Sequence, residues 1–307
     1  MACNWLDQIP SESLQTLLTS VRSQKHASSV VPPSLSLSVG INPGEVLEIQ
    51  GPPASGKTHF VYHLLATCIL PVNSGGRNKA AILYDLNASF DVFRFKRILS
   101  SRLRLIIGDE NLQEAVGHSL KKLHIFYSKS TVDLAVDILH LSYYHTSHLP
   151  DSEIGMVAID SLSTFYWSDR FTSENTRSHR GRTQLTAPLQ SVMAALEAFR
   201  HTHGASVVLS TWSLFPHYKL PESLLDAPPL QQSSFIAAAI GGTAPLTYLI
   251  KLSVPSVPRV AADTSISELN NIEAPVSKEL HGLVYSSDVL DPTPFKFSVN
   301  EEGIGIS

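Results

Sequence analysis

VLEIQGPPASGKT, residues 46–58, joins an apolar run of strand length to a loop bounded by glycines. The second half of this segment fits the phosphate-loop pattern G-x-x-x-x-G-K-[ST] at every fixed position. Its glycines allow successive backbone N–H groups to turn toward phosphate oxygens, and a helix starting at Thr58 would add the positive end of its dipole. The segment therefore predicts a strand, a phosphate-binding loop and a helix in direct succession.

The loop also offers the groups that a nucleoside triphosphate and its metal require. Lys57 can neutralise the β- and γ-phosphates, and the hydroxyl of Thr58 can bind Mg²⁺. A second apolar run, Met156–Asp160, ends in a carboxylate that would lie beside Thr58, although Asp160 could instead cap the next turn. We therefore predict ATP and Mg²⁺ as ligands, with Thr58 and Asp160 at the metal. The residues predicted to bind the nucleotide are Gly51, Pro52, Pro53, Ala54, Ser55, Gly56, Lys57 and Thr58.

Length and composition exclude several classes of protein. The 307 residues are 43% hydrophobic and 16% charged, with a net charge of −4, which is typical of a globular chain and not of a disordered one. The 2 cysteines are too few for a disulfide framework or a zinc site built from cysteines. No apolar run reaches the ~20 residues that a membrane span needs, and the first ten residues hold no basic residue. We therefore expect no membrane partner and no secretory signal.

Beyond the loop, apolar runs of strand length alternate with amphipathic segments. The predicted strands are Val46–Gln50, Ala80–Leu86, Leu123–Tyr127, Met156–Asp160 and Ser206–Thr211. The predicted helices are Thr58–Leu70, Asp91–Ile106, Thr131–Tyr144 and Thr183–Arg200. This alternation is typical of an α/β fold with a mostly parallel central sheet flanked by helices. Three later runs have no helix between them and should add antiparallel strands at the C-terminal edge: Thr247–Val254, Gly282–Ser286 and Phe295–Val299.

The same pattern divides the chain into two parts. In residues 1–45 we predict a short amphipathic helix over Leu6–Arg22, followed by a linker rich in Ser, Val and Pro. Residues 46–307 hold the whole alternation of strands and helices, so we predict that they form one ATPase core domain. Within it, the polar and proline-interrupted segment Pro255–Lys278 is predicted to be a surface loop.

Four motifs, taken in order, resemble those of the RecA-like recombinases and their eukaryotic paralogues. They are residues 51–58, 85–87, 160–162 and 240–243, and the resemblance spans roughly residues 38–254. Two longer segments, residues 63–71 and 160–170, resemble one paralogue in particular.

The resemblance implies a RecA-like P-loop ATPase core without the N-terminal helical domain of the recombinase. It also implies a nuclear protein of homologous recombination repair of DNA double-strand breaks. Such a paralogue joins other recombinase paralogues in a complex. It assists the recombinase filament on single-stranded or branched DNA, which it contacts through the complex.

Two positions depart from the hydrolytic pattern of this family. Asn87 stands where RecA-like ATPases hold a glutamate, and a carboxamide cannot take the proton of an attacking water. The strand that ends near Trp212 lacks the glutamine that senses the γ-phosphate. We therefore expect ATP binding with weak or absent hydrolysis, and we name no catalytic residue. Asp85 or Asp91 could replace the missing base, although Asp91 better suits a helix N-terminus.

The resemblance places the DNA-binding loops of a recombinase at Phe171–Gln184 and Phe215–Ala239. Three arginines of the first loop could contact DNA phosphates, or could be the charges of a solvated loop: Arg177, Arg180 and Arg182. The second loop is not basic, and its Phe235 could stack on a base.

Two other functions remain open at this point. A P-loop kinase for a small molecule would use the same arginines as a closing lid, but Gly241-Gly242 followed by a strand argues against it. A pure interaction subunit with a vestigial nucleotide site would not bind ATP at all. Nucleotide binding is the measurement that separates the last possibility from the others.

Overall fold

The computed structural model describes residues 41–172, 187–213, 222–254 and 279–306. In this part of the chain, nine strands form one sheet in the order β3-β2-β4-β5-β1-β6-β7-β8-β9. The strands are β1 (Val46–Gly51), β2 (Ala80–Asp85), β3 (Leu123–Phe126), β4 (Ile154–Asp160), β5 (Ser206–Trp212), β6 (Tyr248–Ser253), β7 (Glu279–Ser286), β8 (Val289–Asn300) and β9 (Gly303–Ile306).

Helices cover both faces of the sheet. They are α1 (Lys57–Ile69), α2 (Val92–Ile107), α3 (Leu112–Leu120), α4 (Thr131–His148), α5 (Ala187–His203), α6 (Pro229–Ser233) and α7 (Phe235–Ile240). Short 3₁₀ turns lie at Val72–Ser74 and Glu222–Leu224.

The direction of the strands changes at β6. Strands β1 to β6 pair in parallel, whereas β6–β7, β7–β8 and β8–β9 pair antiparallel. This confirms the prediction of a mostly parallel central sheet with antiparallel strands at the C-terminal edge. The five predicted central strands are confirmed to within two residues at each end.

Two hydrophobic cores form because successive residues of a strand point to opposite faces of the sheet. Leu47 and Ile49 of β1 pack with α1 and α2 in the first core. Val46 of β1 packs on the other face, with α4 and α5 in the second core. Since every residue of β1 is buried, the loop that follows it is carried by a fully enclosed strand of the sheet.

Several elements were not predicted from the sequence. Helix α3 follows α2 after a turn, and β9 closes the antiparallel edge beside β8. Residues 222–240, predicted as part of a DNA-binding loop, form a 3₁₀ turn and the two short helices α6 and α7. The predicted helix and linker of residues 1–40, and the predicted surface loop 255–278, lie outside the described residues, and the division into domains stays a prediction.

Candidate functional site

The loop between β1 and α1 takes its shape from two glycines. A Cβ atom at Gly51 would lie 2.5 Å from Ser55 Oγ and 3.1 Å from Leu252 Cβ, so a larger residue would displace the loop. Gly56, at the N-terminus of α1, has a φ of +91°, which L side chains rarely adopt. The backbone can therefore turn sharply into α1 and leave the first N–H groups of the helix facing the loop.

Lys57 is held inside this loop by the loop itself. Its Nζ donates hydrogen bonds to Gly51 O and to Pro52 O, each over 2.8 Å, and the residue is only 8% exposed. Burial lowers the pKa of the Lys57 ammonium, and the nearby charge of Asp160 opposes this change. The cation lies where phosphate oxygens could exchange with the two carbonyl groups.

The next residue joins the loop to the end of β4. Thr58 Oγ1 donates to Asp160 Oδ2 over 2.8 Å, and Ser210 Oγ of β5 donates to the other oxygen of the same carboxylate. Asp160 is 5% exposed, so these hydroxyls fix its orientation. The structure brings together the two residues that the motifs place at a metal. A hydroxyl and a carboxylate are the hard oxygen donors that suit Mg²⁺.

The antiparallel edge of the sheet packs directly under the loop. A Cβ atom at Gly56 would lie 3.1 Å from the ring of Phe297 and 3.6 Å from Leu280. Phe60 of α1 packs edge-on against Phe297 as well, with ring centroids 4.9 Å apart. The sequence predicted Phe295–Val299 only as a strand of the antiparallel edge, and the support that Phe297 gives to the loop was missed.

A cavity of about 470 Å³ opens on the α2 side of Thr58. It is lined by Thr58, His59, Tyr62, Ser89, Asp91 and Arg94. Among the described residues, buried His59 Nδ1 and Arg94 Nε find no hydrogen-bond partner. Burial, together with the charge of Arg94, lowers the pKa of His59. Polar atoms are therefore available next to the phosphate loop.

Asn87 lies in the turn after β2, and its side chain is tied to the turn after β4. Thr164 Oγ1 lies 2.6 Å from Asn87 Oδ1 and 2.7 Å from Ser161 O, and it can donate to either. The side-chain oxygen is thus placed as a hydrogen-bond acceptor, and it has no basic character.

The two carboxylates that could replace a missing base are both engaged with the backbone. Asp85 is buried and accepts hydrogen bonds from the N–H groups of Ser89 and Phe90. Asp91 caps α2 by accepting from the N–H groups of Phe93 and Arg94. The prediction that Asp91 begins a helix is confirmed. Neither group is placed as a free base.

The end of β5 lies beside the loop, as the family pattern requires of a γ-phosphate sensor. Trp212 is opposite Gly51 in the parallel pairing of β1 and β5, and its N–H donates to Ser163 Oγ over 2.9 Å. The N–H of Ser213 donates to Gly51 O over 3.3 Å. A hydroxyl and an indole, rather than a carboxamide, therefore stand at this end of the strand.

The predicted DNA-contacting residues have different outcomes. Arg177, Arg180 and Arg182 lie outside the described residues. Phe235 was predicted as a ring that could stack on a base, and this is wrong: it is 2% exposed and packs edge-on against Tyr166. Ser234 starts α7 as its N-cap, which turns the following phenylalanine into the core.

The loop also has an unpartnered polar group that the polyphosphate of ATP could satisfy. Ser55 Oγ is buried without a hydrogen-bond partner among the described residues, and a Cβ atom at Gly51 would collide with it. Such an unsatisfied donor inside a glycine-shaped cradle suits a ligand with many acceptor oxygens. In the described ranges, no group of three or more His, Cys, Asp or Glu side chains could hold a metal ion by itself. None of the described helices is long and apolar enough to cross a membrane.

Comparison with known proteins shows which proteins this chain is similar to. No protein-family model matches the chain. The mouse DNA repair protein XRCC2 is 33% identical over 127 residues, which cover 41% of this chain and 43% of that protein. The XRCC2 homolog of Arabidopsis thaliana is 24% identical over 216 residues, 60% of this chain and 58% of that protein. Human RAD51 homolog 2 is 28% identical over 125 residues, 41% of this chain and 31% of that protein.

The chain thus spans about half the length of the XRCC2 relatives that it matches. The segments of residues 63–71 and 160–170, which resemble one paralogue in particular, point to XRCC2, and two relatives carry that name. RAD51-like relatives also fit a RecA-like core around the observed sheet. The likeness of this chain to the RecA-like recombinase paralogues, predicted from its motifs, is thereby confirmed.

Proposed function

We propose that this protein is an ATP-binding recombinase paralogue that assists homologous recombination repair of DNA double-strand breaks. In this proposal it acts in the nucleus, as a subunit of a complex with other recombinase paralogues. The observation that carries the proposal is the hydrogen bond between Thr58 and Asp160 next to a glycine-shaped loop, with Asn87 at the position of the usual base.

ATP binding is supported by the way the site is built. Lys57 and the first N–H groups of α1 supply positive charge for the phosphates. The cavity of about 470 Å³ beside Thr58 offers space next to the phosphates, and Arg94 is among the residues that line it. Thr58 and Asp160 would hold Mg²⁺, which neutralises phosphate charge when it is bound.

Weak or absent hydrolysis is supported by three positions. Asn87 has no proton-accepting charge, and a general base typically contributes ~10²–10⁴-fold to a rate. Asp85 and Asp91, the nearby carboxylates, accept hydrogen bonds from the backbone. Bound ATP would then act mainly as a ligand that stabilises the folded protein and its complexes.

Association with a partner chain is supported by one side of the molecule. Four apolar residues follow helical spacing on the outer face of α4 and are 45–74% exposed: Val132, Val136, Leu139 and Tyr143. Helix α4 also contacts β3, through Tyr144 and Phe126. Strand β3 ends the sheet, so its outer edge carries no strand among the described residues. Exposed apolar stripes and free sheet edges are both typical of protein interfaces.

We propose other recombinase paralogues as the partners on this side. In the resulting complex, the protein would assist the recombinase filament on single-stranded or branched DNA.

Calorimetric titration of the full chain with Mg·ATP tests the nucleotide part of the proposal. We expect saturable binding, and we expect Lys57→Ala to weaken it by roughly 10- to 150-fold, since a hydrogen bond to a charged group contributes ~1.5–3 kcal/mol. Lys79→Ala is the matched control, because this lysine pairs with Glu153 at the start of β2. Binding that is absent both alone and with a partner would favour a vestigial site. Transfer of the γ-phosphate to a small molecule would favour the kinase alternative.

A further inference from the structure

Glu48 places a carboxylate in the middle of the sheet, in the strand that leads into the phosphate loop. The residue is 0% exposed. Thr211 Oγ1 donates to its Oε1 over 2.8 Å, Ser234 Oγ to its Oε2 over 2.5 Å and the N–H of Phe235 to its Oε1 over 3.1 Å. A buried carboxylate is costly unless it is well hydrogen-bonded, so these donors are held firmly to β1.

The donors belong to two separate elements. Thr211 is in β5, near the end that lies against the phosphate loop. Ser234 is the N-cap of α7, where its Oγ also accepts a hydrogen bond from the N–H of Ala237 over 3.0 Å. Glu48 therefore connects the loop side of β5 to the first turn of α7.

Helix α7 belongs to a segment, residues 222–246, that is hydrogen-bonded to itself. Ser223 Oγ donates to Gly241 O over 3.0 Å. Gln231 exchanges two hydrogen bonds with the backbone of Ala244, over 2.8 and 2.9 Å. These bonds join residues on the two sides of α7, so the segment is held together as one unit.

The phosphate loop reaches Thr211 through one carbonyl group. Gly51 O accepts hydrogen bonds from Lys57 Nζ over 2.8 Å and from the N–H of Ser213 over 3.3 Å. A phosphate that competes for the Lys57 ammonium would leave this carbonyl to Ser213 alone. Since Ser213 follows Thr211 by two residues, these contacts form a route from the phosphate loop to the hydroxyl that donates to Glu48.

We propose that Glu48 is a positioning residue that couples nucleotide bound at the phosphate loop to segment 222–246. The nucleotide part of this inference rests on the ATP binding proposed above. The connection through Glu48 between Thr211 and α7 does not depend on a nucleotide. The strand sequence VLEIQ offered one signal, since Glu48 is the only charged residue of an apolar run.

A double-mutant cycle without nucleotide tests the connection, with amide hydrogen exchange of α7 as the readout. Thr211→Val removes only the hydroxyl donor, and we expect it to speed exchange at α7 by about tenfold, within the range for residues in contact. In a Glu48→Met background, which removes the acceptor at similar volume, Thr211→Val should have no further effect. Glu48→Gln, which keeps Oε1 as an acceptor, should restore part of the protection.

Ser206→Ala is the matched control, because it removes another buried hydroxyl of β5, one that donates to Gly155 O over 2.9 Å. It should leave exchange at α7 unchanged. Equal effects of Thr211→Val in the two backgrounds would overturn the proposal. If Glu48→Met does not fold, the comparison of Thr211→Val with Ser206→Ala decides alone, and equal exchange at α7 overturns it.

Addition of Mg·ATP tests the coupling itself. Saturating Mg·ATP should change the exchange rate at α7 severalfold in the wild-type chain, and this change should be lost in Thr211→Val. Calorimetric binding without any change at α7 would overturn the coupling and leave the proposed function standing. No binding at all would overturn the proposed function, while the nucleotide-free cycle still shows whether Glu48 positions α7.

Discussion

Thr58 and Asp160 lie 102 residues apart in the chain, and a hydrogen bond of 2.8 Å joins their side-chain oxygens. Ser210 holds the second carboxylate oxygen of Asp160, so the carboxylate cannot rotate freely. The end of β4, the end of β5 and the start of α1 are thereby fixed to one another at a single carboxylate.

Asp160→Asn is expected to remove most of the effect of Mg²⁺ on ATP binding. An amide keeps the size of the side chain and one acceptor, but it loses the charge that attracts the cation. The ratio of ATP affinities measured with and without Mg²⁺ should fall about tenfold toward unity, as expected for a hydrogen bond to a charged group. Asp137→Asn alters a carboxylate of α4 that accepts a hydrogen bond from Ser128, and it should leave the ratio unchanged. A normal ratio in Asp160→Asn would contradict the metal assignment.

Asn87→Glu is expected to raise ATP hydrolysis. Glutamate can still accept the Thr164 hydroxyl that reaches Asn87, and it adds a group that can take a proton from water. We expect kcat to rise by about 10²-fold, at the lower end of the usual gain from a general base. The gain should stay small because the end of β5 still holds Trp212 and Ser213 and no glutamine that senses the γ-phosphate. Asn87→Gln is the control for side-chain length, and an equal rise in both variants would argue against base catalysis.

Glu48→Gln is expected to change how stability depends on pH. Burial raises the pKa of the Glu48 carboxyl above 4.5, and hydrogen bonds from Ser234, Thr211 and the backbone oppose the rise. Because the folded-state pKa is the higher one, the contribution of this carboxyl is complete below pH 4.5 and is lost as the pH rises through the folded-state value.

Urea unfolding over this pH range measures the effect. The free energy of unfolding of the wild type, minus that of Glu48→Gln, should decrease with rising pH and then level off. A difference that increases with pH would show that the hydrogen bonds outweigh burial, and that the folded-state pKa lies below the ordinary value.

Leu139→Asp is expected to weaken capture of a recombinase paralogue without affecting ATP binding. Leu139 is 64% exposed in the middle of the apolar stripe on α4, and a charge there would be buried by any partner that covers the stripe. Phe93→Asp is the matched control, because this ring on α2 is 77% exposed and lies outside the stripe. Co-purification with co-expressed paralogues should fall in the first variant alone, and equal recovery of both would locate the interface elsewhere.

The glycine-shaped loop and the contact between Thr58 and Asp160 could be predicted because the motifs that carry them are local. Gly51 to Thr58 are contiguous, and Asp160 ends an apolar strand. Both patterns can be recognised in the sequence without knowing how the chain packs. Helix α3 was missed because it is short and contains Gly117, which weakens its helical pattern. Strand β9 was missed because its sequence, GIGI, is half glycine.

The remaining features depend on contacts between distant parts of the chain. Phe297 lies under Gly56, although some 240 residues separate them in sequence. Phe235 falls in a segment that the family likeness assigns to a DNA-binding loop, but burial in the second core decides its place. Neither the packing of Phe297 under Gly56 nor the burial of Phe235 leaves a periodic signal in the sequence, so only the folded structure reveals them.

The position of Phe297 and Leu280 beneath the loop has a consequence for inherited variants of this chain. A premature stop codon or a frameshift after residue 58 and before residue 280 would leave every residue of the phosphate-loop motif intact. The encoded product would nevertheless lack β7 and β8, the surface on which Gly56 rests. A screen that scores such alleles only by the presence of the motif would class them as able to bind phosphate. The structure instead predicts a phosphate loop that has lost the strands that support it.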